Sequence, residues 1–210
     1  DISIIGQFKN FLVYPFTILQ CIIENFDNCL DNHADRIECN IYEDKEHNKN
    51  YLIFASNGVG LNKEELEENQ VMSRHREPDL QHKQGRFGTG YAVSRSIFTN
   101  NKGKTIFMSC HTPYTGNGDK FASPNYAQCI IDMDESMKRD YIHKELNDEI
   151  SRSYARMWDL YSIDKKGTGV VLAFEIPENM KKKLYEDINH PDIDKDIERE
   201  VNHQSHCQHT

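Results

Sequence analysis

The sequence predicts an α/β fold: a two-layer α/β sandwich whose mixed, mostly antiparallel sheet is covered by helices on one face. Three observations carry that prediction. Leu19, Ile22, Ile23, Phe26, Cys29 and Leu30 recur at helical spacing and make one apolar stripe. Ile37, Cys39 and Ile41 then alternate with polar residues, and the apolar run from Tyr51 to Ala55 follows a polar turn, so the two segments read as a hairpin. A second helix and further apolar strands return after glycine-rich loops, an order that suits a sheet with helices laid across it.

Taken in order, the first helix is expected over Ile18 to Asn32, the first strand over Arg36 to Tyr42, a turn over Glu43 to Asn50, and the second strand over Tyr51 to Ala55. Asn57 to Gly60 is a glycine loop. The charged stretch Asn62 to Gln84, which contains Pro78, predicts a short helix over Lys63 to Glu68 and then a mobile segment. A second glycine loop, Gly85 to Gly90, leads into a helix over Tyr91 to Phe98, and Thr99 to Gly103 is a turn. Strands are expected over Lys104 to Cys110 and Gln128 to Asp132, with a loop over Thr112 to Pro124 between them. Glu135 to Tyr161 is expected to be helical in part, and Val170 to Ile176 is an apolar strand ended by Pro177. Residues 1–177 are read as one domain and residues 178–210 as a charged, partly helical tail.

The totals agree with one folded unit. A chain of 210 residues can form one good core, or one domain with a small appendage. Hydrophobic residues at 37% and aromatics at 10% are enough to bury a core and argue against disorder. The net charge of −9 disfavours direct contact with a nucleic-acid backbone. No stretch approaches the roughly 18 apolar residues of a membrane span. The region Phe11 to Ile23 also lacks the marks of a signal peptide. Cys21, Cys29, Cys39, Cys110, Cys129 and Cys207 form no C-x-x-C pair and read as reduced thiols. An intracellular location, cytoplasmic or nuclear, follows as an expectation. The chain opens with Asp1 rather than Met, as a trimmed fragment would.

Four constellations could carry chemistry. Glu24, Asn28 and Asp31 stand at spacings of four and three, on one helix face opposite the apolar stripe. A carboxylate there can take a proton from water, and an amide oxygen can help hold Mg²⁺. On its own, such a face is an ordinary solvated one. Asn57-Gly-Val-Gly60 follows a strand, where glycines permit a tight turn and close approach to a flat ligand. Gly85-Arg-Phe-Gly-Thr-Gly90 opens a helix, where backbone N–H groups and the helix start suit phosphates. It matches neither the Walker loop nor the dinucleotide fingerprint. Gly167-Thr168 precedes the late strand. The tail cluster His203, His206, Cys207 and His209 has no recognisable structural-zinc spacing and reads as an unstructured tail.

The order of these segments resembles the GHKL superfamily of gyrase, heat-shock chaperone, histidine kinase and MutL ATPases, which share the Bergerat ATP-binding fold. The resemblance runs from about Phe16 to Pro177. It rests on Glu24-x-x-x-Asn28 with Asp31, on Ser56-Asn-Gly-Val-Gly60 in place of Asp-x-Gly-x-Gly, on Gly85-x-x-Gly-x-Gly90, and on Gly167-Thr168. The glycine-loop form looks more like the MutL, MORC and heat-shock chaperone branches. The resemblance implies ATP and Mg²⁺ as ligands, with Glu24 as general base, Asn28 on the metal and Asp31 supporting it. It implies Gly58, Gly60 and Thr168 on the base side. Gly85, Gly88 and Gly90 would be on the phosphates, with Arg86, Phe87 and Thr89 in the same loop, and residues 62–84 would form the lid.

One position departs from the family pattern. Ser56 stands where the adenine-reading aspartate is expected. A charge-assisted hydrogen bond contributes roughly 1.5–3 kcal/mol, so its loss weakens binding by about tenfold to a hundredfold, with a cost in adenine selectivity. A bridging water, a degenerate site and an introduced disabling change are all compatible with the serine. The resemblance therefore implies an Mg²⁺-dependent ATP-binding and ATP-hydrolysing module. Such a module would drive conformational change or nucleotide-dependent homodimerisation of a larger chain that acts on a protein or nucleic-acid client. The alternatives are a degenerate nucleotide-binding scaffold and the catalytic domain of a sensor histidine kinase.

Overall fold

The computed structural model describes residues 17–61, 90–111, 126–132, 142–145, 156–164 and 167–188. The elements are α1 (Ile18–Asp31), β1 (Ile37–Asp44), β2 (Lys49–Ser56), α2 (Gly90–Phe98), β3 (Lys104–Cys110), β4 (Tyr126–Asp132), β5 (Ile142–Glu145), a helical turn α3 at 156–161, β6 (Gly169–Ile176) and α4 (Glu178–Ile188). The result is an α/β chain with one six-stranded sheet in the order β1-β2-β6-β3-β4-β5. Every described pairing is antiparallel. The late strand β6 is inserted between β2 and β3, so a late segment of the chain completes the middle of the sheet.

Local chemistry sets the element ends. Thr17 and Gln20 form a reciprocal capping box: the Gln20 N–H donates to Thr17 Oγ1 at 3.1 Å, and the Thr17 N–H donates to Gln20 Oε1 at 2.9 Å. The helix closes through Asn32, and His33 takes a left-handed φ of 59°, which turns the chain toward β1. The β1–β2 hairpin turns on Asp44, whose Oδ1 accepts the N–H groups of Glu46 (3.1 Å) and His47 (3.2 Å). Asn48 supplies the left-handed residue there, with φ 52°.

Successive strand residues face opposite ways, and here both faces are apolar. Leu52, Phe54, Phe107, Leu172 and Phe174 point toward α1 and α2 and form the first core with Ile18, Cys21, Val93 and Phe98. Phe54 is its hub: its ring meets Phe26 and Phe174 edge-on, with centroids 5.9 and 6.1 Å away, and meets Phe98 at 6.1 Å. The fully buried Leu184 of α4 joins the same core. Ile53, Ala55, Ile106, Met108, Val171 and Ala173 face the other way, where Met157 and Trp158 of α3 cover them. Helices therefore lie on both faces, where the sequence predicts them on one. The reason lies in β2 and β6: both are buried along nearly their whole length, and a strand apolar on both sides needs cover on both.

The stretch expected to be helical in part is helical at 156–161, and residues 142–145 within it are a strand. The Ile-His-Lys-Glu of β5 has no apolar alternation, and pairing with β4 at the sheet edge makes it a strand. The apolar stripe of α1 is also rotated: Ile18, Cys21, Ile23 and Asn25 are buried, whereas Leu30 is 53% exposed. Expectations for residues 62–89, 112–125 and most of the tail lie outside the described residues.

The position of Phe54 gives a direct test of the first core. Phe54→Ala should cost about 3–5 kcal/mol, read as a lower urea midpoint with an unchanged slope. A loss below about 1 kcal/mol would remove Phe54 from the centre of the packing.

Candidate functional site

Helix α1 brings the candidate residues together because it is held from three directions. Phe26 seats it on the sheet. Asn25 ties it to α2: its Nδ2 donates to Ser94 Oγ at 2.9 Å and to the Cys21 carbonyl at 2.7 Å. Ser94 Oγ also donates to the Cys21 carbonyl at 3.3 Å. Its C-terminal end meets the glycine loop, where the Val59 N–H donates to the Asn32 carbonyl at 2.9 Å.

The face bearing Glu24, Asn28 and Asp31 is half-buried rather than fully solvated. Gly90, the first residue of α2, lies directly against Glu24, and a Cβ at Gly90 would collide with Glu24 Oε2. The last glycine of the Gly85–Gly90 loop is thereby adjacent to the acid of α1. Gly85, Arg86, Phe87, Gly88 and Thr89 lie outside the described residues. Burial, followed by the nearby charges of Asp27 and Asp31, holds the Glu24 carboxyl above the usual carboxylate range. Burial and Asp31 push Asp27 the same way. Asp27 is the residue that the sequence reading missed. Its spacing of three from Glu24 and four from Asp31 was available as a signal.

The loop after β2 is gripped on both sides. Gly58 lies against the Asn32 carbonyl, and Gly60 adopts a left-handed φ of 72° against the Cys110 carbonyl, so a Cβ at either position would collide with backbone. The Leu61 N–H donates to Ser109 Oγ at 2.5 Å, and the His111 ring nitrogen lies 3.2 Å from the Val59 carbonyl oxygen. Ser56 ends β2, is only 2% exposed, and hydrogen-bonds the Cys29 thiol of α1. Burial raises the Cys29 thiol above its ordinary range, and that bond partly offsets the rise. Thr168 is half-buried and immediately precedes Gly169, which abuts the Ser56 carbonyl. Ser56 and Thr168 therefore sit at one end of adjacent strands, with Ser56 beside the C-terminal half of α1.

The arrangement can do three things chemically. A carboxylate with a raised proton affinity can accept a proton from water. The Asn28 amide, which has no hydrogen bond to a described residue, can supply an oxygen to a hard cation. The start of α2 favours negative charge. Among the described residues no three His, Cys, Asp or Glu side chains converge as a metal-binding group. The buried Cys21 thiol, pushed up to about 12 chiefly by desolvation, is a packing residue and not a nucleophile. No helix among the described residues is long and apolar enough to cross a membrane. No protein-family model and no curated protein matches the chain.

The raised Glu24 carboxyl has a consequence for stability. The folded chain holds this proton more tightly than the unfolded chain. Stability therefore falls as pH rises from the ordinary carboxylate range through the raised folded value. Above that window the penalty is complete. Glu24→Gln should melt at a higher temperature than wild type at pH 7–8, with the gap narrowing as pH falls through the carboxylate range. Equal pH dependence in the two proteins would refute the electrostatic account.

Proposed function

We propose that the chain is a nucleotide-binding module of the GHKL type that holds ATP and Mg²⁺ between α1, the loop after β2 and the start of α2. The observation that carries this reading is the contact between Gly90 and Glu24. It joins the end of the phosphate-type glycine loop to the acid of a helix 66 residues earlier in the chain. In this reading Glu24 accepts the proton of the attacking water and Asn28 contributes its amide oxygen to Mg²⁺. Asp31 supports the waters around the metal, and Gly58, Gly60 and Thr168 line the base side. Magnesium supplies charge neutralisation at the phosphates, and the protein contributes positioning. The module acts intracellularly by closing on nucleotide, as a homodimer of a larger chain, and passes that change to a protein or nucleic-acid client.

A second reading has its own support. Ser56 is buried, uncharged and bonded to Cys29, so it offers a base no carboxylate. A nucleotide-responsive scaffold without turnover would tolerate this. Calorimetry with ATP, GTP and Mg²⁺ separates the two readings. Selective ATP binding supports the enzyme, whereas no binding at millimolar nucleotide supports the scaffold. If the site hydrolyses ATP, turnover of the chain alone should be slow, and Glu24→Ala should lower it by about two orders of magnitude or more. Equal turnover in both proteins takes Glu24 out of the chemistry.

A further inference from the structure

Asn57 stands where the α1–β1 connection crosses the glycine loop. Its Oδ1 accepts the backbone N–H groups of Asp35 (3.2 Å) and Arg36 (2.9 Å), and its Nδ2 donates to Asp35 Oδ1 at 2.5 Å. Its own N–H donates to the Arg36 carbonyl at 3.3 Å. One residue thus binds two consecutive residues through both its side chain and its backbone. Next to it, the Val59 N–H holds the Asn32 carbonyl and Gly58 packs against the same group. Across the loop, Ser109 and His111 fix Leu61 and Val59 to the end of β3. Among the described hydrogen bonds, Asn57 alone ties this loop to Asp35 and Arg36, three times through its side chain and once through its backbone N–H.

The chemistry of the clamp is specific. It needs an acceptor with two lone pairs and a donor on one short side chain, which an asparagine supplies. Aspartate would keep the acceptor but set a second negative charge against Asp35. Alanine removes both functions. The α1–β1 connection continues directly from the helix that carries Glu24, Asn28 and Asp31, so the clamp fixes the end of that helix relative to the loop.

We infer that Asn57 is the positioning residue of this site: it sets the separation between the acid-and-amide face of α1 and the glycine loop, acting through the backbone of Asp35 and Arg36. The inference rests on reading the site as a nucleotide cradle. The hydrogen bonds are partly solvent-exposed, so each is modest, and their combined removal changes affinity rather than folding.

The test is calorimetric titration of the chain with ATP and Mg²⁺, alongside circular dichroism, for wild type, Asn57→Ala, Asn57→Asp and the double variant Asp35→Asn/Asn57→Asp. Both single variants should bind about tenfold more weakly while keeping native dichroism. The double variant exchanges donor and carboxylate across the same contact and should return to within about threefold of wild type. A merely structural asparagine would show no such recovery in affinity. If wild type binds and Asn57→Ala binds equally well, or if the exchange restores nothing, the positioning role is overturned and the cradle stands. If wild type itself fails to bind at millimolar nucleotide, the cradle is lost and the inference with it.

Discussion

The placement of α1 is the constraint on which the rest depends. It meets the sheet through Phe26, α2 through Asn25 and the glycine loop through Asn32. The first is apolar and non-directional, so it sets depth without setting rotation. The other two are hydrogen bonds, which are directional and set rotation and register. A helix held only by its apolar stripe could slide or roll by a residue. This one is pinned so that Glu24 meets Gly90.

That pinning carries a cost. Asn25 is 2% exposed, and its Oδ1 finds no partner among the described residues, although its nitrogen bonds twice. A buried carbonyl left unmet costs about 1–3 kcal/mol. An apolar residue would pack there with less penalty but would carry no information about the register between α1 and α2. The carboxylates tell a similar story. Glu24, Asp27 and Asp31 share one side of α1, where the charge of Asp31 disfavours ionisation of Asp27 and the charges of both disfavour ionisation of Glu24. Carboxylates held close together against their mutual repulsion are characteristic of sites where charge is used.

Ser56 fits the same local logic. The end of β2 is buried between β1, β6 and α1, and a short hydroxyl bonded to the Cys29 thiol fills that space without introducing charge. An aspartate at this position would enter the same buried corner and meet a thiol already resistant to ionisation.

The sequence by itself determined what depends on near neighbours. The periodicity of α1 predicts Ile18 to Asn32 and the helix covers Ile18–Asp31, while β3 begins and ends at the predicted residues. The helix after the second glycine loop and the late strand before Pro177 fall within a residue of their expected starts. The types and spacing of Glu24, Asn28, Asp31, Gly58 and Gly60 were legible for the same reason. Tertiary structure alone decided which sides face what. It buried Asn25 and exposed Leu30, covered the sheet on its second face with Met157 and Trp158, and made a strand of the polar β5. It also set Asp27 among the carboxylates and gave Asn57 its clamp. These outcomes depend on partners tens of residues away. A local pattern records how a segment can fold, whereas the burial of each face is fixed by what packs against it.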